Sequence, residues 1–139
     1  MKRFLCLLLA ALLVPALSAC AAAPAAGLYD VDLTALNSTM VYAEVFQMLN
    51  VPENYLGKTV KMEGTFSVYE GEGRNYYACV IQDATACCAQ GIEFVTAQPL
   101  RYPEDYPALG TNITVTGVYD VYQEDGWDYC QLVDAVLDY

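Results

Sequence analysis

Tyr55 to Tyr69 reads YLGKTVKMEGTFSVY. From Lys58 onward its apolar residues recur at every second position. Val60, Met62, Gly64, Phe66 and Val68 fall on one side, and Lys61, Glu63, Thr65, Ser67 and Tyr69 on the other. A period of two over this length marks a strand with one face buried and one in water. Gly64 stands on the apolar side, where a strand that curves around a small core bends or bulges.

Downstream the same period returns four times. Glu70 to Asn75 (EGEGRN) is a polar turn, and Tyr76 to Asp83 is a second strand. A loop carrying the adjacent pair Cys87 and Cys88 leads to a third, Gly91 to Val95. Ala97 to Leu109 contains Pro99, Pro103 and Pro107, which exclude a long regular helix and leave a structured loop. Ile113 to Tyr122 is the fourth strand, with Val115, Gly117, Tyr119 and Val121 on one side. Glu124-Asp125-Gly126 makes a hairpin turn, and Trp127 to Leu137 is the last strand.

Upstream the period changes. Met40, Val41, Val45, Met48 and Leu49 recur at helical spacing, Asn37 or Ser38 supplies an N-cap, and Pro52 ends the run. The pattern predicts a helix over Ser38 to Leu49. Tyr29 to Leu36 alternates weakly and reads as a short extended arm.

Met1-Lys2-Arg3 is a basic start followed by an apolar run to Leu17, with the layout of an export signal. Leu17-Ser18-Ala19-Cys20 resembles the lipobox of bacterial lipoproteins. That resemblance implies a signal peptide over 1–19 and diacylglyceryl attachment at Cys20. It also implies a tether over 20–37 and a domain over 38–139, held on the extracytoplasmic face of the cell membrane. The general layout is similar to that of small uncharacterised lipoproteins of Gram-positive bacteria.

Loss of residues 1–19 would leave four cations, Lys58, Lys61, Arg74 and Arg101, against seventeen acids, a net charge of −13. Such a charge repels phosphate backbones, so nucleic acid is not an expected partner. The chain has no histidine, which removes Ser-His-Asp and Cys-His catalysis and the commonest zinc ligand. No carboxylate pair or phosphate-binding glycine loop stands out, so the expectation is a non-catalytic protein.

Five strands after one helix, with a long connection between the third and fourth, predict a mainly β fold built as a small barrel. The segments Leu56-Gly57-Lys58-Thr59-Val60-Lys61-Met62-Glu63-Gly64 and Leu109-Gly110-Thr111-Asn112-Ile113-Thr114-Val115-Thr116-Gly117 echo each other. With them the chain from Tyr55 to Leu137 resembles the OB-fold, a five-stranded barrel. The resemblance implies that the first and fourth strands lie side by side, that the third runs parallel to the fifth, and that ligands sit on the face of the second and third. It also implies that Cys87 and Cys88 approach Cys130.

Cys79, Cys87, Cys88 and Cys130 leave several chemistries open. Cys130 could form a structural disulfide with Cys87 or Cys88, as an extracytoplasmic location permits. The same three thiols, with Cys79, Asp83 or Glu93 as a fourth ligand, suit zinc or another thiophilic metal. Reactive or inert thiols complete the set. Two functions follow: a membrane-anchored binding module that captures a metal ion through its cysteines, or a module that binds a protein or small ligand through Tyr76, Tyr77 and Trp127 while the cysteines staple the barrel. Either has a membrane or extracytoplasmic protein as its natural partner.

Overall fold

The computed structural model describes residues 27–71 and 73–139. The lipobox, Cys20 and the start of the tether lie outside the described residues. Among the described residues no helix is long and apolar enough to cross a membrane.

The elements are β1 (Val31–Asp32), α1 (Ser38–Asn50), β2 (Thr59–Glu70), β3 (Asn75–Gln82), β4 (Ala89–Thr96), β5 (Asn112–Glu124) and β6 (Trp127–Asp138). β2 pairs antiparallel with β3, β3 with β4, and β5 with β6, while β4 runs parallel to β6. β2 also pairs antiparallel with β5 from Thr59↔Val118 to Thr65↔Asn112, which closes the five long strands into a ring. The parallel pair and the β2–β5 closure are the neighbour relations that the OB resemblance implies. The fold is mainly β with one helix.

The period-two residues fill the ring. Val60, Met62, Phe66, Cys79, Ile92, Phe94, Ile113, Val115, Tyr119 and Leu132 are all buried. Gly64 is needed where β2 crosses β3, because a Cβ there would lie 2.6 Å from the Val80 carbonyl oxygen and 2.9 Å from the Cys79 sulfur. Gly117 serves the same purpose at the shift in β5–β6 register, 2.8 Å from the Val133 oxygen.

The Asn37 side chain caps α1 by accepting from the Met40 N–H at 3.1 Å. Val45 and Met48 point into the core. The last four carbonyls of a helix lack intrahelical donors. One of them, that of Met48, accepts from the buried Tyr119 hydroxyl on β5, so the bond that satisfies the helix end also docks it on the barrel.

Among the described residues, long-range pairing is already present inside the span 20–37 expected as a tether. Asp30 donates its N–H to the Thr59 carbonyl at 2.9 Å and accepts the Thr59 N–H on its carboxylate at 2.8 Å. Val31–Asp32 then pairs in parallel with Val60–Lys61, and Leu33 is buried in the core. These long-range pairings take residues 30–33 out of any tether. At the other side of the ring the proline-rich segment packs as a plug. Tyr106 stacks on Tyr77 with ring centroids 4.2 Å apart, and Tyr102 meets both rings.

A candidate thiolate–carboxylate centre on the β3–β4 loop

Asp83 follows the last residue of β3, and its carboxylate organises the chain back toward β4. Oδ1 accepts the N–H of Cys87 at 2.9 Å and that of Cys88 at 3.4 Å, while Oδ2 accepts the Thr85 hydroxyl at 2.9 Å. The backbone closes the same loop, with Asp83 N–H donating to the Cys88 carbonyl at 2.9 Å and Ala86 N–H to the Asp83 carbonyl at 3.0 Å. Ala86 takes φ 56, the left-handed conformation that turns the chain sharply.

That turn sets the sulfurs. In an extended strand successive side chains point to opposite faces, but on this bent segment the Cys87 and Cys88 sulfurs come within 3.4 Å of each other. The Cys87 sulfur also lies 3.3 Å from Asp83 Oδ2. Ligand atoms of Asp83, Cys87 and Cys88 all fall within 4.8 Å of one another. A tetrahedral zinc with Zn–S bonds of about 2.3 Å needs sulfurs roughly 3.8 Å apart, a few tenths of an ångström from what this loop holds. The three groups thus form one face of a tetrahedron and leave its fourth corner open.

The loop shifts its carboxyl and one of its thiols in opposite directions. Desolvation raises the Asp83 carboxyl, but hydrogen bonds from Thr85, the Cys87 thiol and the two backbone N–H groups outweigh it and hold it below the usual carboxylate range. The bond shared with Cys87, then desolvation and the Asp83 charge, push the Cys88 thiol up. Tyr42, on α1, senses the same cluster. Desolvation and then the charges of Cys88, Asp83 and Cys87 raise its hydroxyl, against a lowering hydrogen bond from Gln90.

The other two thiols stand elsewhere. Cys79 is buried in the barrel opposite Phe66 and Ile92. Burial, and then Glu63, push its thiol up to about 12. Cys130 is half-buried on β6, opposite Val121 and one residue before the Gln131↔Glu93 pair. It does not join the Cys87–Cys88 cluster. The reason is the length of the β3–β4 hairpin, whose pairing continues to Gln82↔Ala89. That extension carries the cysteine loop about four residues, or roughly 13 Å, past the level of Cys130. Among the described residues Cys79, Cys87, Cys88 and Cys130 stand as unpaired thiols. Glu93, the other acid considered as a fourth ligand, instead accepts the Tyr122 hydroxyl at 2.7 Å.

Tyr76 and Tyr77 occupy opposite faces of β3. Tyr77 packs among Phe66, Phe94 and Tyr106. Tyr76 lies on the outer face, where its hydroxyl donates to Glu124 at 2.7 Å. Trp127 is exposed at the start of β6. Tyr42 is not legible in the sequence because only the docking of α1 against β3 and β4 brings the helix to the loop. No protein-family model matches the chain, and no curated protein or solved structure matches it either.

Proposed function

We propose that the protein is a membrane-anchored, extracytoplasmic binding module that captures a thiophilic metal ion at Asp83, Cys87 and Cys88. The observation that carries this reading is the convergence of two sulfurs and a carboxylate on an exposed loop held by a barrel hairpin. Borderline donors of this kind suit zinc, and the two sulfurs alone suit Cu(I). Structural zinc sites are closed by four protein ligands, whereas two exposed thiols and a partly exposed carboxylate leave a fourth position open for exchange. Exchange is what a capture module needs. The acidic surface, with seventeen carboxylates in the chain, raises the local concentration of cations.

Anchoring through Cys20 would place that site at the membrane surface, within reach of a membrane partner. The absence of histidine and of a paired acid and base supports binding rather than catalysis.

The test is titration of the full-length chain, reduced and in non-ionic detergent, with Co(II) and Zn(II). Sulfur-to-cobalt charge-transfer absorption that saturates at one ion per chain, is displaced by zinc and is absent from Cys87→Ser and Cys88→Ser supports the reading. Cobalt absorption that survives both substitutions would place the ion elsewhere and refute it.

A further inference from the structure

A second cluster of charged and aromatic side chains lies on another part of the barrel and does not involve the cysteines. The tips of the β2–β3 and β5–β6 hairpins meet through Arg74, whose guanidinium pairs with Glu124 at 2.9 Å. The same guanidinium lies 4.2 Å from the Tyr76 ring centroid and 5.3 Å from that of Tyr122. The protein already holds one of its own organic cations here, between aromatic faces and a carboxylate.

Beside this clasp an open groove of about 490 Å³ continues the same chemistry. Its walls are Tyr69, Tyr76 and Tyr129, and its charges are Glu93, Glu124 and Asp125. Tyr122 stacks on Tyr129 at 5.4 Å and donates to Glu93, while Tyr76 donates to Glu124, so these rings hold Glu93 and Glu124 in place. The volume lies in the range of small-molecule sites. Three carboxylates against one guanidinium leave the groove anionic, and tyrosine faces attract cations through their quadrupoles. An anionic ligand would be repelled. The pairing of alkyl stem on ring with ammonium on carboxylate is met by an amine.

We infer that the groove between the two hairpin tips binds a small organic ammonium ion, with Glu93 and Asp125 as its counter-charges and Tyr69, Tyr76 and Tyr129 as its walls. Trp127, the single tryptophan of the chain, opens β6 opposite Glu124 and reports occupancy by fluorescence. The probe is spermidine, added to the full-length chain in non-ionic detergent at physiological salt and followed by Trp127 emission and calorimetry. Two isosteric variants remove charge alone. Glu93→Gln keeps an acceptor for the Tyr122 hydroxyl, and Asp125→Asn suits the left-handed φ of 50 at the turn. Asp138→Asn makes the same charge change at the opposite end of β6.

One-site binding that weakens at least tenfold in both groove variants and less than twofold in Asp138→Asn supports the inference. Equal weakening in all three would mean bulk charge attraction, and would overturn it. So would the lack of saturable spermidine binding, or binding of a neutral chitooligosaccharide that Glu93→Gln and Asp125→Asn leave intact.

Discussion

The Cys87 and Cys88 sulfurs stand 3.4 Å apart, and that of Cys87 lies 3.3 Å from a carboxylate oxygen of Asp83. Adjacent residues achieve this because the Asp83 side chain wraps the loop backbone around itself. The residue that shapes the loop is thus also the third ligand of the proposed site. Its replacement is expected to act twice, through the lost donor and through the loosened turn. Asp83→Asn should weaken zinc binding more than tenfold. Loss of an outer-shell partner alone costs about 10- to 100-fold, so Cys87→Ser and Cys88→Ser, which remove ligands outright, should each exceed about 100-fold. Competition against a chromophoric chelator measures all three.

Ion binding should strengthen as pH rises. The Cys88 thiol is raised by Cys87, desolvation and Asp83, so at neutral pH it holds a proton that an ion must displace. Zinc affinity measured between pH 6 and 8.5 should increase steadily, with proton release detectable in weak buffer. A flat profile would mean that thiolates are not the ligands.

Alkylation should separate the four thiols of the barrel domain. Cys87 and Cys88 are exposed, Cys130 is half-buried, and Cys79 is buried with its thiol pushed up to about 12. Iodoacetamide at pH 8 should label Cys87 first, the exposed but protonated Cys88 and the half-buried Cys130 more slowly, and Cys79 only on unfolding. Bound zinc should protect Cys87 and Cys88 alone. Peptide mapping by mass spectrometry reads each rate.

Burial of Cys79 also gives the fold an alkaline limit. The folded thiol stays protonated up to about pH 12, while the unfolded one ionises near its ordinary value of 9.0. Between those values the folded state holds one more proton, so stability falls as pH rises, by about 1.4 kcal/mol per pH unit. Chemical unfolding at pH 8 and 10.5 should show a loss of about 2 kcal/mol from this group. Cys79→Ala should be less stable at pH 8, because of its cavity, and should lose less between the two pH values.

Tyr119→Phe should detach the end of α1. The hydroxyl satisfies the Met48 carbonyl, and its removal leaves a buried acceptor unpaired at a cost of about 1–3 kcal/mol. Amide exchange should quicken at the end of α1 before it does in β5.

Alternation of residues such as Val60, Met62 and Phe66 made the strands legible, and the prolines that interrupt helix marked the plug. Their pairing followed from the two echoing segments, which form the β2–β5 closure. Features that depend on distant partners stayed hidden. Leu33 is buried because Val31–Asp32 pairs with β2, and the weak local alternation of that arm does not reveal it. Cys130 is remote from Cys87 because the β3–β4 hairpin extends to Ala89, two residues before the apolar run begins. Asp83 was visible as one candidate ligand, yet its grip on the Cys87 and Cys88 N–H groups is a property of the folded loop. Tyr76 and Tyr77 could not share one binding face, since period two places neighbours on opposite faces of a strand.

The most direct test is native mass spectrometry of the reduced full-length chain, purified anaerobically with one equivalent of zinc and released from detergent in the instrument. The account predicts a chain retaining one zinc ion, a Cys87→Ser/Cys88→Ser chain retaining none, and free thiols in both after denaturation. A wild-type chain that retains no zinc, or one about 2 Da light through a Cys87–Cys88 disulfide formed under these conditions, would contradict it.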